Sequence, residues 1–273
     1  MSFMRFRDAQ PGICRVSLRV PGLCPGLVGR RLLFVTDIHH GRWFSHEAVS
    51  RLLARLAPLG ADLVLLGGDL ADDEPHERAV LAQLARLRAP LGAFCVPGNN
   101  DYEAFGGDYA PFRAMLKAAN ITLLVNERAE LPVPGGRLVV SGLDDAKYGK
   151  PDARALAFDK RPGDFHLLLA HSPWALSQVP DNPPALALCG HTHGGQWAIG
   201  RLTPYSLGYE WRQRRRGPLL VTGEHQVGHM KVVVSNGIGF SLLPIRMGAP
   251  GQVHLVELTN FPTPLDMSRG RAL

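Results

Sequence analysis

A chain of 273 residues with 45% hydrophobic and 20% charged residues has ordinary globular composition and ample material for a core, which excludes a disordered or fibrous protein. Its net charge of +6 suits an anionic substrate or an anionic membrane surface, and with no recognition-helix, zinc-finger or single-strand-binding signature it does not argue for specific nucleic acid. Cys14, Cys24, Cys95 and Cys189 lack CxxC spacing and read as reduced thiols of a cytoplasmic protein, and no run approaches the ~20 apolar residues of a membrane span or the apolar core of a signal peptide.

Residues 1–30 read as an N-terminal extension with a first strand, residues 31–260 as the main domain and residues 261–273 as a tail. From Leu32 to Thr36 a short apolar run ends at Asp37. A helix is predicted next, capped by Ser45, with Val49, Leu52, Leu53 and Leu56 on one face and Gly60 after it. Leu63–Leu66 is the following strand, ending in Gly67, Gly68 and Asp69. Val80, Leu84 and Leu87 mark a second amphipathic helix. Phe94–Val96 is a third strand that leads into Pro97, Gly98, Asn99, Asn100 and Asp101. Farther on, Leu138–Val140, Leu167–Ala170 and Ala185–Cys189 read as buried strands, the last two followed by His171 and His191. Val232–Ser235 and Val253–Leu258 are two more strands rich in β-branched residues.

Ligand-type residues therefore sit at the carboxyl ends of successive buried strands, where open α/β sheets bind ligands. Five segments carry them: Asp37-Ile38-His39, Gly68-Asp69-Leu70-Ala71-Asp72, Gly98-Asn99-Asn100-Asp101, His171, and Gly190-His191-Thr192-His193. Each is weak alone; together, each after an apolar run, they are specific. Carboxylates and an amide mixed with imidazoles suit manganese, iron, nickel or zinc. In an extended segment Asp37 and His39 project to the same side, and so do His191 and His193, so each pair is expected to face one site. The glycines before Asp69, Asn99 and His191 permit tight turns and close backbone approach.

These blocks resemble the D-x-H, G-D-x-x-D, G-N-H-[DE], H and G-H-x-H signature of the calcineurin-like metallophosphoesterases, over residues 31–258 or so. The run Gly190-His191-Thr192-His193-Gly194-Gly195-Gln196, the Gly142-Leu143-Asp144-Asp145 block, and Ser235–Gly239 followed by Pro244-Ile245-Arg246 are similar to a bacterial branch of small phosphodiesterases often tied to membranes. Some of that branch hydrolyse the pyrophosphate of UDP-diacylglucosamine. The resemblance implies a four-layer αββα sandwich of two mixed sheets flanked by helices. It also implies two divalent metal ions, manganese first and iron, zinc or nickel as alternatives. One would take Asp37, His39, Asp69 and His193; the other Asp69, Asn99, His171 and His191. A hydroxide bridging them would attack phosphorus in line. Asp72 would orient a ligand. The family has histidine where this chain has Asn100; that position contacts phosphate, and an asparagine can donate a hydrogen bond there without delivering a proton.

A diester, pyrophosphate or amphiphilic phosphate is expected as substrate rather than a phosphoprotein, since the protein-phosphatase branch carries an arginine soon after its Asp-x-x-Asp block, where this chain has Asp73 and Glu74. The run Trp211-Arg212-Gln213-Arg214-Arg215-Arg216, with Trp43 and Trp197, would suit peripheral contact with the inner face of a membrane, although a basic run is ordinarily a solvated loop. Of the remaining histidines, His46, His76, His166 and His254 read as surface or rim residues, while His225 and His229 sit in a Gly-rich segment that could line the pocket. Asp101 reads equally as a ligand-orienting or a turn residue. The rival readings are a metal-free binding module on the same fold and a nuclease; the oligomeric state is not legible.

Overall fold

The computed structural model describes residues 4–5, 10–180, 183–199, 202–209, 220–241 and 243–260. The basic run from Trp211 to Arg216 lies outside them. In chain order the elements are β1 (Met4–Arg5), β2 (Gly12–Arg19), β3 (Arg31–Val35), α1 (His46–Leu56), β4 (Leu63–Leu66), α2 (Glu74–Leu84), β5 (Ala93–Cys95), α3 (Asn99–Ala104) and α4 (Tyr109–Ala118). There follow β6 (Thr122–Leu123), β7 (Glu127–Val133), β8 (Gly136–Gly142), β9 (Phe165–Leu169), β10 (Leu186–Cys189), β11 (Gly223–Val227), β12 (Met230–Val234), β13 (Ile245–Arg246) and β14 (Gln252–Thr259).

Two six-stranded mixed sheets result, ordered β2-β14-β3-β4-β5-β6 and β11-β12-β10-β9-β8-β7. In the first, β3 to β6 run parallel and β14 opposes β3; in the second, β8, β9, β10 and β12 run parallel between antiparallel edges. Central parallel strands are covered on both faces, which is why β4 and β10 read as unbroken apolar runs rather than alternating ones. The sheets pack through Phe34, Leu65 and Phe94 on one side and Leu138, Phe165 and Leu188 on the other.

The outer face of the first sheet is covered by helices. Ser45 caps α1 by accepting from the Ala48 amide, and Val49, Leu52, Leu53 and Leu56 form its buried stripe. In α2 the Asp73 carboxylate accepts from the His76 amide and Pro75 occupies the first turn. Leu87 lies beyond this helix's end yet still packs on the same cluster. The second sheet's outer cover is short 3-10 segments, Ala153–Leu156 and Pro173–Gln178, set against Leu168, Ala187 and Val232. The four-layer α/β sandwich thus stands, with single turns doing on that side what helices do on the other.

Two edge strands break the expectation from apolar runs. β7 carries Glu127, Arg128 and Glu130, and β11 carries Glu224 and Gln226, because a sheet edge is protected by charge rather than built from a hydrophobic run. His225 therefore belongs to a strand and His229 to the hairpin turn after it, not to a pocket loop. His166 and His254 are also misplaced by the surface reading. Both are buried in strands, each 4% exposed.

Candidate metal centre

The carboxyl ends of β3, β4 and β5 in one sheet and of β9, β10 and β12 in the other open onto one cleft. Asp37 and His39 follow β3, Asp69 follows β4, Asn99 follows β5, His171 follows β9, and His191 and His193 follow β10. Two groups of donor atoms form. Asp37, His39 and His193 make the first; Asp69, His171 and His191 make the second, and all six are buried.

Strand alternation does not account for this. Asp37, His39, Asp69, His191 and His193 have φ of 52°, 46°, 50°, 67° and 51°. Five of the expected ligands therefore lie in the left-handed region, at roughly 1–2 kcal/mol each for a residue with a Cβ. The pair Asp37 and His39 does face one group, but through these kinks. His191 and His193 face different groups, because Thr192 between them is right-handed helical rather than extended. The strain is held by hydrogen bonds from outside the segment. Gly239 N donates to Asp37 O at 2.7 Å, His39 N to Asp69 O at 3.1 Å, and His191 N to both Asp37 carboxylate oxygens at 3.1 Å. Glycine matters at two points here: a Cβ on Gly98 would overlap the Asp69 carboxylate, and one on Gly190 would overlap that of Asp37.

Donor spacing fits metal ions. Two donors ~2.1 Å from a common ion lie ~3.0–3.4 Å apart in octahedral or tetrahedral geometry. His39 Nε2 is 3.1 Å from His193 Nε2, which is 3.5 Å from Asp37 Oδ1. In the second group His171 Nε2 is 3.4 Å from Asp69 Oδ2 and 3.2 Å from His191 Nδ1. Asp69 Oδ2 is also 3.8 Å from His39 Nε2, so this carboxylate stands between the groups. Among the described residues Asn99 Oδ1 is buried with no hydrogen-bond partner, and Asn99 lines the same cavity as the donor groups. A buried carbonyl oxygen whose lone pairs no hydrogen bond uses suits a metal ligand.

Tautomers support the same fit. His171 Nδ1 donates to Gly67 O at 2.7 Å, which makes Nε2 the atom turned to the second group. Asp72 Oδ1 lies 3.2 Å from His39 Nδ1 and orients that ring in the same way. His193 differs: its Nδ1 lies 3.1 Å from Arg246 Nη2, whose two hydrogens go to Asn236 O and Gly239 O, so this contact does not fix its tautomer.

Burial would raise the Asp69 carboxyl, but His171, His39 and His191 hold it below the usual carboxylate range. Burial would lower His171 and His39; Asp69 outweighs it at His171, and Asp72, Asp69 and Asp37 together do so at His39, so both imidazoles sit above their ordinary value. Burial, with His39 and Arg246 nearby, pushes His193 well down. Asp101 is pushed up to about 7 by burial and by Asp69. Its Oδ2 accepts from Gly98 N at 2.7 Å and from Asp69 N at 2.9 Å, so it ties the β4 loop to the β5 loop.

Four of the six donor residues, His39, Asp69, His191 and His193, line a cavity of about 390 Å³, with Asp37 and His171 buried behind them. Asn100, Asp72 and Trp43 line it, as does Trp197. Asn100 N donates to Asp69 Oδ1 at 2.8 Å, and its Nδ2 lies 3.1 Å from His39 Nδ1. His40 is 3% exposed, with Nδ1 on Phe44 O, and neither it nor His225 or His229 reaches the cavity wall. Sequence reasoning did not single out Lys147, Tyr205, Tyr209 or Phe240, which also line the cavity, and it quoted Gln196 only as part of a run. They follow no strand end in a ligand-type pattern; only the Gly142–Asp145 block and the glycines beside Gln196 hinted at their loops.

A profile of the calcineurin-like phosphoesterase family matches residues 30–195. The chain is 28% identical over 237 residues to the uncharacterised metallophosphoesterase YkuE of Bacillus subtilis, covering 85% of this chain and 80% of that protein. It is 29% identical over 233 residues to phosphodiesterase YaeI of Escherichia coli, covering 84% and 82%. It is also 27% identical over 270 residues to a bovine transmembrane protein with a metallophosphoesterase domain, covering 92% of this chain and 58% of that longer one. The chain belongs to the calcineurin-like phosphoesterase family. That family uses divalent metal ions, and the two donor groups fit them.

Proposed function

We propose that this protein hydrolyses a phosphodiester or pyrophosphate with two bound divalent ions, manganese first among the candidates. The observation that carries the reading is the pair of donor groups joined by Asp69, with Asn99, whose buried Oδ1 has no hydrogen-bond partner among the described residues, lining the same cavity. Asp37, His39, Asp69 and His193 would hold one ion; Asp69, Asn99, His171 and His191 the other. When bound, the two ions supply a hydroxide from water as nucleophile and neutralise charge on the phosphoryl group. Asp72 holds the His39 ring in register, and Asn100 offers a neutral amide donor to a phosphoryl oxygen. The similarity to a protein named a phosphodiesterase supports the diester class.

The cavity wall supports an amphiphilic phosphate. Trp43, Trp197, Tyr205, Tyr209 and Phe240 line it, and Ile199, Leu202, Leu207, Leu243 and Ile245 are exposed on the segments that carry four of those rings. Work at the inner face of a membrane is consistent with this rim, and four unpaired cysteines fit a reducing compartment. Among the described residues, no helix is long and apolar enough to cross a membrane.

The test is metal analysis combined with a substrate panel under manganese: a monoester, water-soluble diesters and pyrophosphates, and acylated counterparts of the last two. Two ions per chain, cleavage of diesters or pyrophosphates over monoesters, and preference for the acylated forms are expected. Asp69→Ala should lose both ions and the activity, because one carboxylate serves both groups. A wild-type protein that holds two ions yet cleaves no diester or pyrophosphate would refute the assignment, as would an active, two-ion Asp69→Ala protein. Equal rates for soluble and acylated substrates would remove the amphiphile.

A further inference from the structure

Arg246 closes the Pro244-Ile245-Arg246 run and has no role in the chemistry above. It is 2% exposed. Its guanidinium points into the space between two loops. Nε donates to Gly239 O at 2.9 Å, and Nη1 to His193 O and Ala249 O, both at 3.1 Å. Nη2 donates to Asn236 O at 2.8 Å and Gly239 O at 2.6 Å, and lies 3.1 Å from His193 Nδ1. Every acceptor is a backbone carbonyl, and the ring of an expected ligand lies against the fork. A buried guanidinium with this set is a fork that fixes where several backbones stand, and lysine, with one nitrogen, cannot reproduce it.

Both loops matter to the first donor group. One carries His193 itself. The other, residues 236–239, receives the kink after β3: Ile238 N and Gly239 N donate to Asp37 O at 3.1 and 2.7 Å, and Gly237 lies against the Asp37 side chain. Asp37 and His193 come from different sheets, so their 3.5 Å spacing is not set by local chain geometry. In the second group Gly67 O holds the His171 ring, and the Asp37 carboxylate accepts the His191 amide. Arg246 touches none of that group's residues.

We propose that Arg246 is a positioning residue for the first metal group alone: it latches the His193 turn to the 236–239 loop and so sets the separation of Asp37 and His193 and the rotation of the His193 ring. The proposal rests on the two-ion reading above. Its consequence is asymmetric. Loss of the fork should weaken one ion and spare the other.

The experiment measures manganese and zinc binding by competition titration on the full chain, as wild type, Arg246→Lys and Arg246→Ala. Thermal unfolding of each metal-free protein is recorded beside it. Two ions are expected in the wild type. In both variants one ion should weaken by about 10- to 100-fold, the usual effect of removing a group that orients a ligand, while the other keeps its affinity. Adding His171→Ala to Arg246→Lys should remove the retained ion. In Arg246→Ala, guanidinium at about 10 mM should restore the weakened ion; denaturation by this ion needs molar concentrations. Should Arg246→Ala fail to fold, Arg246→Lys decides. Equal weakening of both ions, unchanged affinity for both, or no response to guanidinium in a folded Arg246→Ala protein would each overturn the proposal. A wild type that binds fewer than two ions would instead defeat the two-ion reading.

Discussion

His254 should make this fold acid-sensitive on its own. It lies in β14 on the face that Val256 and Leu258 present to the space between the sheets. Neither ring nitrogen has a hydrogen-bond partner, and burial pushes its pKa from 6.5 down to about 4. Above about pH 6.5 the ring is neutral both folded and unfolded, and costs nothing in linkage. As pH falls from 6.5 toward 4 the unfolded chain takes up a proton that the folded one refuses, so stability declines. At 1.36 kcal/mol per unit, two units of that window correspond to about 2.7 kcal/mol. His254→Leu removes the proton acceptor and two unsatisfied polar atoms at similar volume. Urea unfolding in EDTA at pH 7.5, 5.5 and 4.5 separates this from metal loss, which both proteins then share. The variant should equal or exceed the wild type at pH 7.5, and its advantage should widen by about 2–3 kcal/mol by pH 4.5. Parallel stability curves for the two proteins would refute the reasoning.

Gly190→Ala should fold with a lowered Tm and lose an ion from the first group, since its Cβ would overlap the Asp37 carboxylate and Thr36 Oγ1; a variant with two tightly held ions would contradict the packing. Asn100→His would put a proton donor on the cavity wall, where general acids are typically worth ~10²–10⁴-fold. It should speed alkyl leaving groups more than nitrophenolate, with metal content unchanged. Equal effects on kcat for both would mean that proton delivery is not what this position controls.

How much could be read without coordinates follows from what each residue answers to. β4 and β10 were legible because parallel central strands are apolar on both faces, and the metal groups because their residues follow those strands. β7 and β11 were not, because edge strands carry charge, and with β11 went the placement of His225 and His229. The burial of His254 escaped for a related reason. A polar residue in a strand is read as outward-facing, and only the second sheet, packed across it, makes that false.

The residues that the structure brings together were readable as a list and in their division between two groups, but strand alternation is not what brings them together. Period-two alternation explains side chains in a regular strand, but every one of these strands ends two to four residues before its first expected ligand. Beyond that point the chain turns left-handed, at Asp37, His39, Asp69, His191 and His193. Such kinks carry only a weak residue signature when the kinked residue is not glycine, since Asp and His are enriched there without being diagnostic. They persist because the neighbouring loops hold them: Gly239 grips Asp37, Asp69 O takes the His39 amide, and Arg246 grips His193. The cost of five strained residues is met by contacts between the sheets, so the ligand geometry depends on tertiary packing rather than on the motif. That dependence is why the Ser235–Gly239 and Pro244–Arg246 segments, which contain none of the expected ligands, belong to the candidate metal centre as much as the histidines do.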